Sequence, residues 1–201
     1  MTIACFTGFN VLNAKHHMKN QFIAFIVVFT ALTLHAHATP NPEAPKQLHH
    51  WSPLIGKWRT TEEGLKPDGS AWQPSKSAQW NFYWAMDGWA VRDEYFSPPL
   101  DDVQAEPLKR QIGTNLRIFN ADKNEWIMAW LTKDGKRVDV YQANSDGNTI
   151  VMRTAPLTEG GKHRRITFFD IKKDSFEWKL EFSNDGQSNW LEVYRIHGKR
   201  E

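Results

Sequence analysis

The sequence predicts an all-β domain, a single antiparallel up-and-down barrel of about ten strands preceded by a short N-terminal helical turn. Three features predict it. All ten tryptophans lie after residue 50, most of them in short segments that alternate apolar and polar residues. Those segments are separated by Asp-Gly, Gly-Gly and Asn/Asp turn signals, and no helical period interrupts them from Trp51 to the end. Consecutive strands joined by tight turns pair with their neighbours, and enough of them close into a barrel.

The elements follow in chain order. Residues 18–21 form a short basic region, 22–34 an uncharged and largely apolar run, and Ala36-His37-Ala38 an A-x-A cleavage site. Residues 18–38 therefore read as a secretory signal peptide, with 1–17 as an upstream extension and Thr39 as the mature start. The apolar run is shorter than the roughly 20 residues a spanning helix needs, so no stable membrane span is expected and the protein is expected to be periplasmic or secreted. Residues 1–38 hold Lys15 and Lys19 and no acid, so their removal brings the 25 basic residues to 23, against 23 acidic ones. A neutral chain without a basic stripe is not expected to bind nucleic acid. Cys5, the one cysteine, leaves with the leader, so the exported domain has no disulfide and no thiol chemistry.

Residues 39–48, with Pro40, Pro42 and Pro45, read as an extended linker, and 49–201 as the barrel domain. Residues 49–55 suit one helical turn, and Lys57-Trp58-Arg59-Thr60-Thr61 opens the first strand. Lys66-Pro67-Asp68-Gly69 is a turn in which Pro presets one corner and Gly accepts positive φ at the other. Strands at 77–86 and 89–97 flank Asp87-Gly88, a two-residue type I′ signal. Residues 97–110 are too long for a hairpin connection and read either as a lid over a binding mouth or as a polar excursion. A strand at 111–120 follows. Asp134-Gly135 and Asp146-Gly147 join strands at 125–132, 137–143 and 148–154, and a last meander takes 162–171, 175–183 and 189–197. Phe176, Trp178, Leu180 and Phe182 alternate with charged residues and face the core. In residues 126–131 both faces are apolar, which calls for a cover on the outer face: the N-terminal turn, a loop, or a second copy in a homodimer.

Gly56-Lys57-Trp58 at the head of the first strand resembles the G-x-W signature of lipocalins and the wider calycin barrels. The resemblance implies that Trp58 lies across the barrel base and packs on an arginine of the last strand, for which Arg195 is the candidate. The lipocalin Thr-Asp-Tyr motif has no counterpart here. A closer resemblance is to bacterial lipocalin-like domains of unknown function, carried by residues 113–120 (Gly-Thr-Asn-Leu-Arg-Ile-Phe-Asn), Trp126, Trp130, Phe169-Asp170-Ile171, Phe176-Glu177-Trp178, the turn at 183–190 and Arg200. It implies a calycin-type barrel and no established chemistry. Residues 183–190 also resemble a degenerate Asp-box hairpin, in which Asp185 caps the turn.

Chemical motifs are sparse. The mature histidines His49, His50, His163 and His197 have no metal-binding spacing; adjacent imidazoles on a turn diverge, so no metal or cofactor is expected. Asp93 and Glu94 are neighbours on a strand and point to opposite faces, so they cannot act together. An inward Asp93 would need a cation such as Arg117 or Arg165, because an unpaired buried charge is costly. No serine-nucleophile or phosphate-loop motif is present. Trp84, Trp89, Trp126, Trp130, Tyr141 and Trp178 lie on expected strands and would either fill the barrel or line a cavity. The leading expectation is a barrel that binds a small apolar or amphipathic molecule, with Arg117, Trp130 and Trp178 at the pocket and Gly56, Trp58, Arg195 and Asp185 structural. The alternatives are a hydrolase or isomerase using an interior Asp93 or Glu181 as base, and a cell-envelope module holding polysaccharide or protein on surface aromatics.

Overall fold

A computed structural model describes residues 39–136, 138–156 and 159–201. The expected leader and the extension before it lie outside the described residues. The chain folds as a closed, entirely antiparallel barrel with a calycin-like architecture. Its strands in chain order are β1 (Gly56–Leu65), β2 (Trp72–Pro74), β3 (Ala78–Ala85), β4 (Ala90–Ser97), β5 (Gln111–Asn120), β6 (Glu125–Thr132), β7 (Val138–Asp146), β8 (Thr149–Thr154), β9 (His163–Phe169), β10 (Ser175–Ser183) and β11 (Leu191–Arg200). Each pairs with its sequence neighbour, and β11 returns to β1 with Trp58 opposite Arg200 and Glu63 opposite Arg195. β2 and β3 both pair with β1, at different heights, so they form one interrupted stave and the barrel has ten.

Period-two burial fixes which residues face inward. In β7, Asp139, Tyr141 and Ala143 are buried while their neighbours are exposed. β5 turns Gly113, Asn115 and Arg117 inward in the same way, and β4 turns Val91, Asp93 and Tyr95. The lower end holds the N-terminal segment and the hairpins after β3, β5, β7 and β9. The upper end holds the 97–111 connection and the β10–β11 turn.

A 3-10 helix at Lys46–Leu54 plugs the lower end. Leu48, Trp51 and Leu54 recur every third residue, the period of a 3-10 turn, so all three fall on one face and are fully buried. Trp51 packs edge-on against Trp126 and Phe168, with ring centroids at 5.9 and 5.6 Å. Order thus begins earlier than the expected 39–48 linker implies: Leu48 is core, and Asn41 donates its backbone N–H to the Gly88 carbonyl (3.1 Å). This contact also widens the turn at Asp87-Gly88. Met86, Asp87 and Gly88 all have positive φ (51°, 55° and 80°), and Trp89 sits in the turn, exposed, instead of on a strand facing the interior.

The arginine that packs on Trp58 is Arg200, not Arg195. Its guanidinium lies 4.1 Å from the Trp58 ring and donates to the carbonyls of Ile55 (2.8 Å), Pro53 (2.6 Å) and Lys173 (2.6 Å). The last strand runs beyond its expected end at residue 197, and register decides the partner: residues directly opposite across a pair share a face. Arg195 instead lies over Trp72, 3.6 Å from the ring, near Glu63 and Glu192. Gly56 has φ of 133°, and a Cβ there would collide with the Arg200 guanidinium, so this glycine is set by both backbone and neighbour.

The connection over residues 97–110 is strapped to the outer wall and supplies no lid. Arg59 grips Asp101 in a two-point ion pair (2.9 and 2.7 Å), and Leu100 N–H donates to Gln79 Oε1 (3.3 Å), both partners lying on the outer face of β1 and β3. On β5 to β7 the outer face carries exposed Ile118, Ile127, Leu131, Val138 and Val140. Ile118 stands opposite Ile127 and Leu131 opposite Val138, so the apolar positions are contiguous. Among the described residues neither the N-terminal helix nor a loop lies over them.

In the turn between β10 and β11, Asp185 Oδ1 accepts from the backbone N–H groups of Gln187 and Ser188 (both 2.9 Å) and from the Ser183 hydroxyl (2.7 Å). The Ser188 hydroxyl donates to Oδ2 (2.5 Å). These hydrogen bonds, Ser188 first, hold the carboxyl well below its ordinary 3.8. A depressed acid stabilises the fold above its unfolded pKa and loses that contribution as pH falls. The melting-temperature gap between the native protein and Asp185→Asn is therefore expected to be widest near neutrality and to shrink progressively below pH 3.8. A gap that stays constant or widens in acid contradicts this.

Candidate functional site

Small barrels are commonly filled by side chains. This one is filled only in its lower half. Below, Trp58, Phe82, Trp126, Phe168 and Phe176 are fully or almost fully buried, and Trp58 packs edge-on against Phe176 with centroids 4.9 Å apart. Above them lies a cavity of about 420 Å³, bounded by inward residues of nine strands, β3 to β11. Its apolar wall is Trp80, Trp130, Trp178, Ile166, Leu180 and Phe182; its polar groups are Gln111, Asn115, Arg164, Tyr95, Tyr141 and Tyr194. Gln111, Arg164 and Phe182 stand at strand ends, which places the mouth at the upper rim. Trp130, Trp178 and Leu180 are only partly buried although they point into the barrel.

Arg117 borders the floor of this cavity but is fully buried, as is its ion-pair partner Asp93. The ring of Trp51 lies 4.3 Å from its guanidinium, and in the amide orientation that satisfies both groups Asn115 accepts from Arg117 Nη2 (3.2 Å). Burial pushes Asp93 up, against the pull of Arg117, and pushes Arg117 down, against the pull of Asp93. Desolvation thus opposes both charges, and the pair survives by its mutual contact. Arg117 is therefore the foundation of the site more than a free hand within it. At the rim Arg164 Nη1 meets Asp139 Oδ2 (3.0 Å).

A second polar cluster escapes sequence reasoning. Glu62, 4 % exposed, accepts hydrogen bonds from the hydroxyls of Thr60 (2.7 Å), Tyr95 (2.8 and 2.9 Å) and Tyr194 (2.5 Å). Burial first, then Glu62, raises Tyr95 above the ordinary phenol range; burial and the Glu62 hydrogen bond do the same to Tyr194. Both phenols remain protonated donors. The three strands that supply this cluster, β1, β4 and β11, are far apart in sequence, and only their register brings the groups together.

Of the expected pocket residues, Trp130 and Trp178 line the cavity, together with Tyr141. Gly113 makes room for Trp130: a Cβ on it would come under 3.0 Å from that ring. Trp126 belongs to the filled floor, and Trp84 packs at the core's edge. Neither expected base reaches the cavity. Asp93 is sealed against Arg117, and Glu181 lies on the outer face, bound by Arg165 (2.7 and 2.8 Å) and Lys179 (3.1 Å). Burial alone would raise Glu181, but hydrogen bonds from Arg165 and Lys179 hold it below the usual carboxylate range. Its outward place follows from the alternation that turns Leu180 and Phe182 inward. Surface tryptophans do not form a stacking row either: Trp72 lies under Arg195, and Trp190 under Arg165 at 4.4 Å.

No protein-family model and no curated protein matches the chain. Solved structures that match the chain include an S-type phycobiliprotein lyase from Guillardia theta, at 10% identity and a TM-score of 0.48, covering 76% of this chain and 91% of that one. Another is a protein of unknown function of the DUF3598 family from Nostoc punctiforme, at 8% identity and a TM-score of 0.22, covering 78% of this chain and all of that one.

Proposed function

We propose that the barrel binds a small amphipathic molecule in its upper cavity and that it does so outside the cytoplasm. The observation that carries the reading is the half-filled interior. A volume of about 420 Å³ falls in the range of small-molecule pockets, and its wall is mainly aromatic with a few placed polar groups. Apolar side chains facing into a barrel and left partly wet forgo about 25 cal/mol for every Å² not covered, a loss that a ligand recovers on binding. Export rests on the leader pattern of residues 18–38 and on a cysteine-free mature chain.

Native mass spectrometry of the purified protein, compared with denaturing spectra of the same sample, tests this reading. The expected result is a small organic adduct that denaturation releases. Gly113→Ala, which drives Trp130 into the cavity, is expected to lower adduct occupancy at least several-fold while the barrel persists by circular dichroism. Absence of adduct, joined to failure of apolar fluorescent probes to quench the tryptophans, would leave the cavity without a ligand role.

A further inference from the structure

The charges inside the barrel do not balance. Among the described residues Asp93 faces Arg117 and Asp139 faces Arg164, so each of these two carboxylates has a cation. Glu62 has none: its hydrogen-bond partners are the hydroxyls of Thr60, Tyr95 and Tyr194. A carboxylate this buried is costly without an opposite charge, and hydroxyl donors offset only part of that cost. Two of its donors, Tyr95 and Tyr194, line the cavity. A phenol that donates to a carboxylate has its oxygen polarised into a better acceptor, so the negative charge is relayed to the cavity wall.

The same wall is aromatic. Tyr95 packs edge-on against Trp80 (5.7 Å) and Trp130 (6.3 Å), and Tyr194 against Trp178 (6.4 Å). Indole and phenol faces attract cations, most strongly where water is excluded. The arginines bordering the cavity do not cancel this preference, since each faces its own aspartate.

We infer that the ligand carries a cationic nitrogen on an apolar body, an amine or quaternary ammonium seated against the Tyr95–Glu62–Tyr194 wall among Trp80, Trp130 and Trp178. This rests on the ligand-binding reading above and names the chemical class for it. The complementarity has two parts: the cation supplies the charge that Glu62 lacks, and the apolar body covers the half-wet tryptophans.

The test titrates the whole chain with phenethylammonium, its uncharged isostere phenethyl alcohol, and the anionic hydrocinnamate, following heat or tryptophan fluorescence. The ammonium is expected to bind at least about tenfold tighter than the alcohol, a difference of about 1.4 kcal/mol, with hydrocinnamate weakest. Glu62→Gln is expected to erase the ammonium's advantage while leaving the alcohol's affinity within about twofold. Should the variant fail to fold, the ranking of the three probes on the native protein decides. Equal affinities, or tighter hydrocinnamate, overturn the cationic class and leave the binding reading standing. If none of the three binds, both fall together.

Discussion

Arg117→Met is expected to lower the unfolding free energy by about 3–5 kcal/mol, read as a shift of the urea midpoint. Native domains hold only about 5–15 kcal/mol in total, so the variant stands at the edge of folding. The cause is the carboxylate left behind: Asp93 is fully buried, and Arg117 is its cation. Arg117 Nε and Nη1 have no acceptor among the described residues, and the Trp51 ring lies 4.3 Å from the guanidinium. Its charged and hydrogen-bonded partners are thus the Asp93 carboxylate and the Asn115 amide oxygen. Pairing Arg117→Met with Asp93→Leu is accordingly expected to recover stability to within about 1–2 kcal/mol of the native protein, because apolar replacements of similar volume remove both desolvation costs. A double variant no better than the single would show that the arginine's packing, and not its charge, matters most.

Arg200→Ala is expected to cost about 2–4 kcal/mol, and Arg195→Ala no more than about 1, by the same urea measurement. Arg200 satisfies three carbonyls and covers the Trp58 ring, joining the N-terminal helix to the last strand. Arg195 lies on the wall's exterior with half-exposed partners. Comparable losses in both variants would contradict the register that sets Arg200 opposite Trp58.

The strands were legible wherever local rules suffice. Asp134-Gly135 and Asp146-Gly147 turn where expected, and Phe176, Trp178 and Leu180 point inward because a strand has period two and the neighbouring charges have no alternative to water. Parity allowed an inward Asp93 but left its cation open between Arg117 and Arg165; the structure puts Arg117 on Asp93 and Arg165 on Glu181. Properties that depend on register between distant strands were not legible. The partner of Trp58 depends on where β11 ends, and the Glu62 cluster depends on three strands meeting at one height. The plug was hidden for another reason. The spacing of Leu48, Trp51 and Leu54 is a 3-10 period, but it overlaps a proline-rich stretch whose composition suggests an extended linker. At Trp89 the turn signal was right and its width was not, because Asn41 bonds to Gly88 from a segment that sequence alone places elsewhere.

Closure of the barrel by β11 against β1 also sets an order of events during synthesis. Arg59 and Glu201, which pair at the seam, are 142 positions apart, so β1 leaves the ribosome long before the strand that completes it. Until then its edge presents open backbone donors and acceptors, the condition under which strands recruit wrong neighbours. The meander from β3 to β10 can form hairpin by hairpin, but the floor still lacks Arg200, which bonds the Ile55 and Pro53 carbonyls at the end of the N-terminal helix. A nascent chain stalled before β11 is thus a sheet with two free edges, and its fate depends on whatever holds those edges apart until translation finishes.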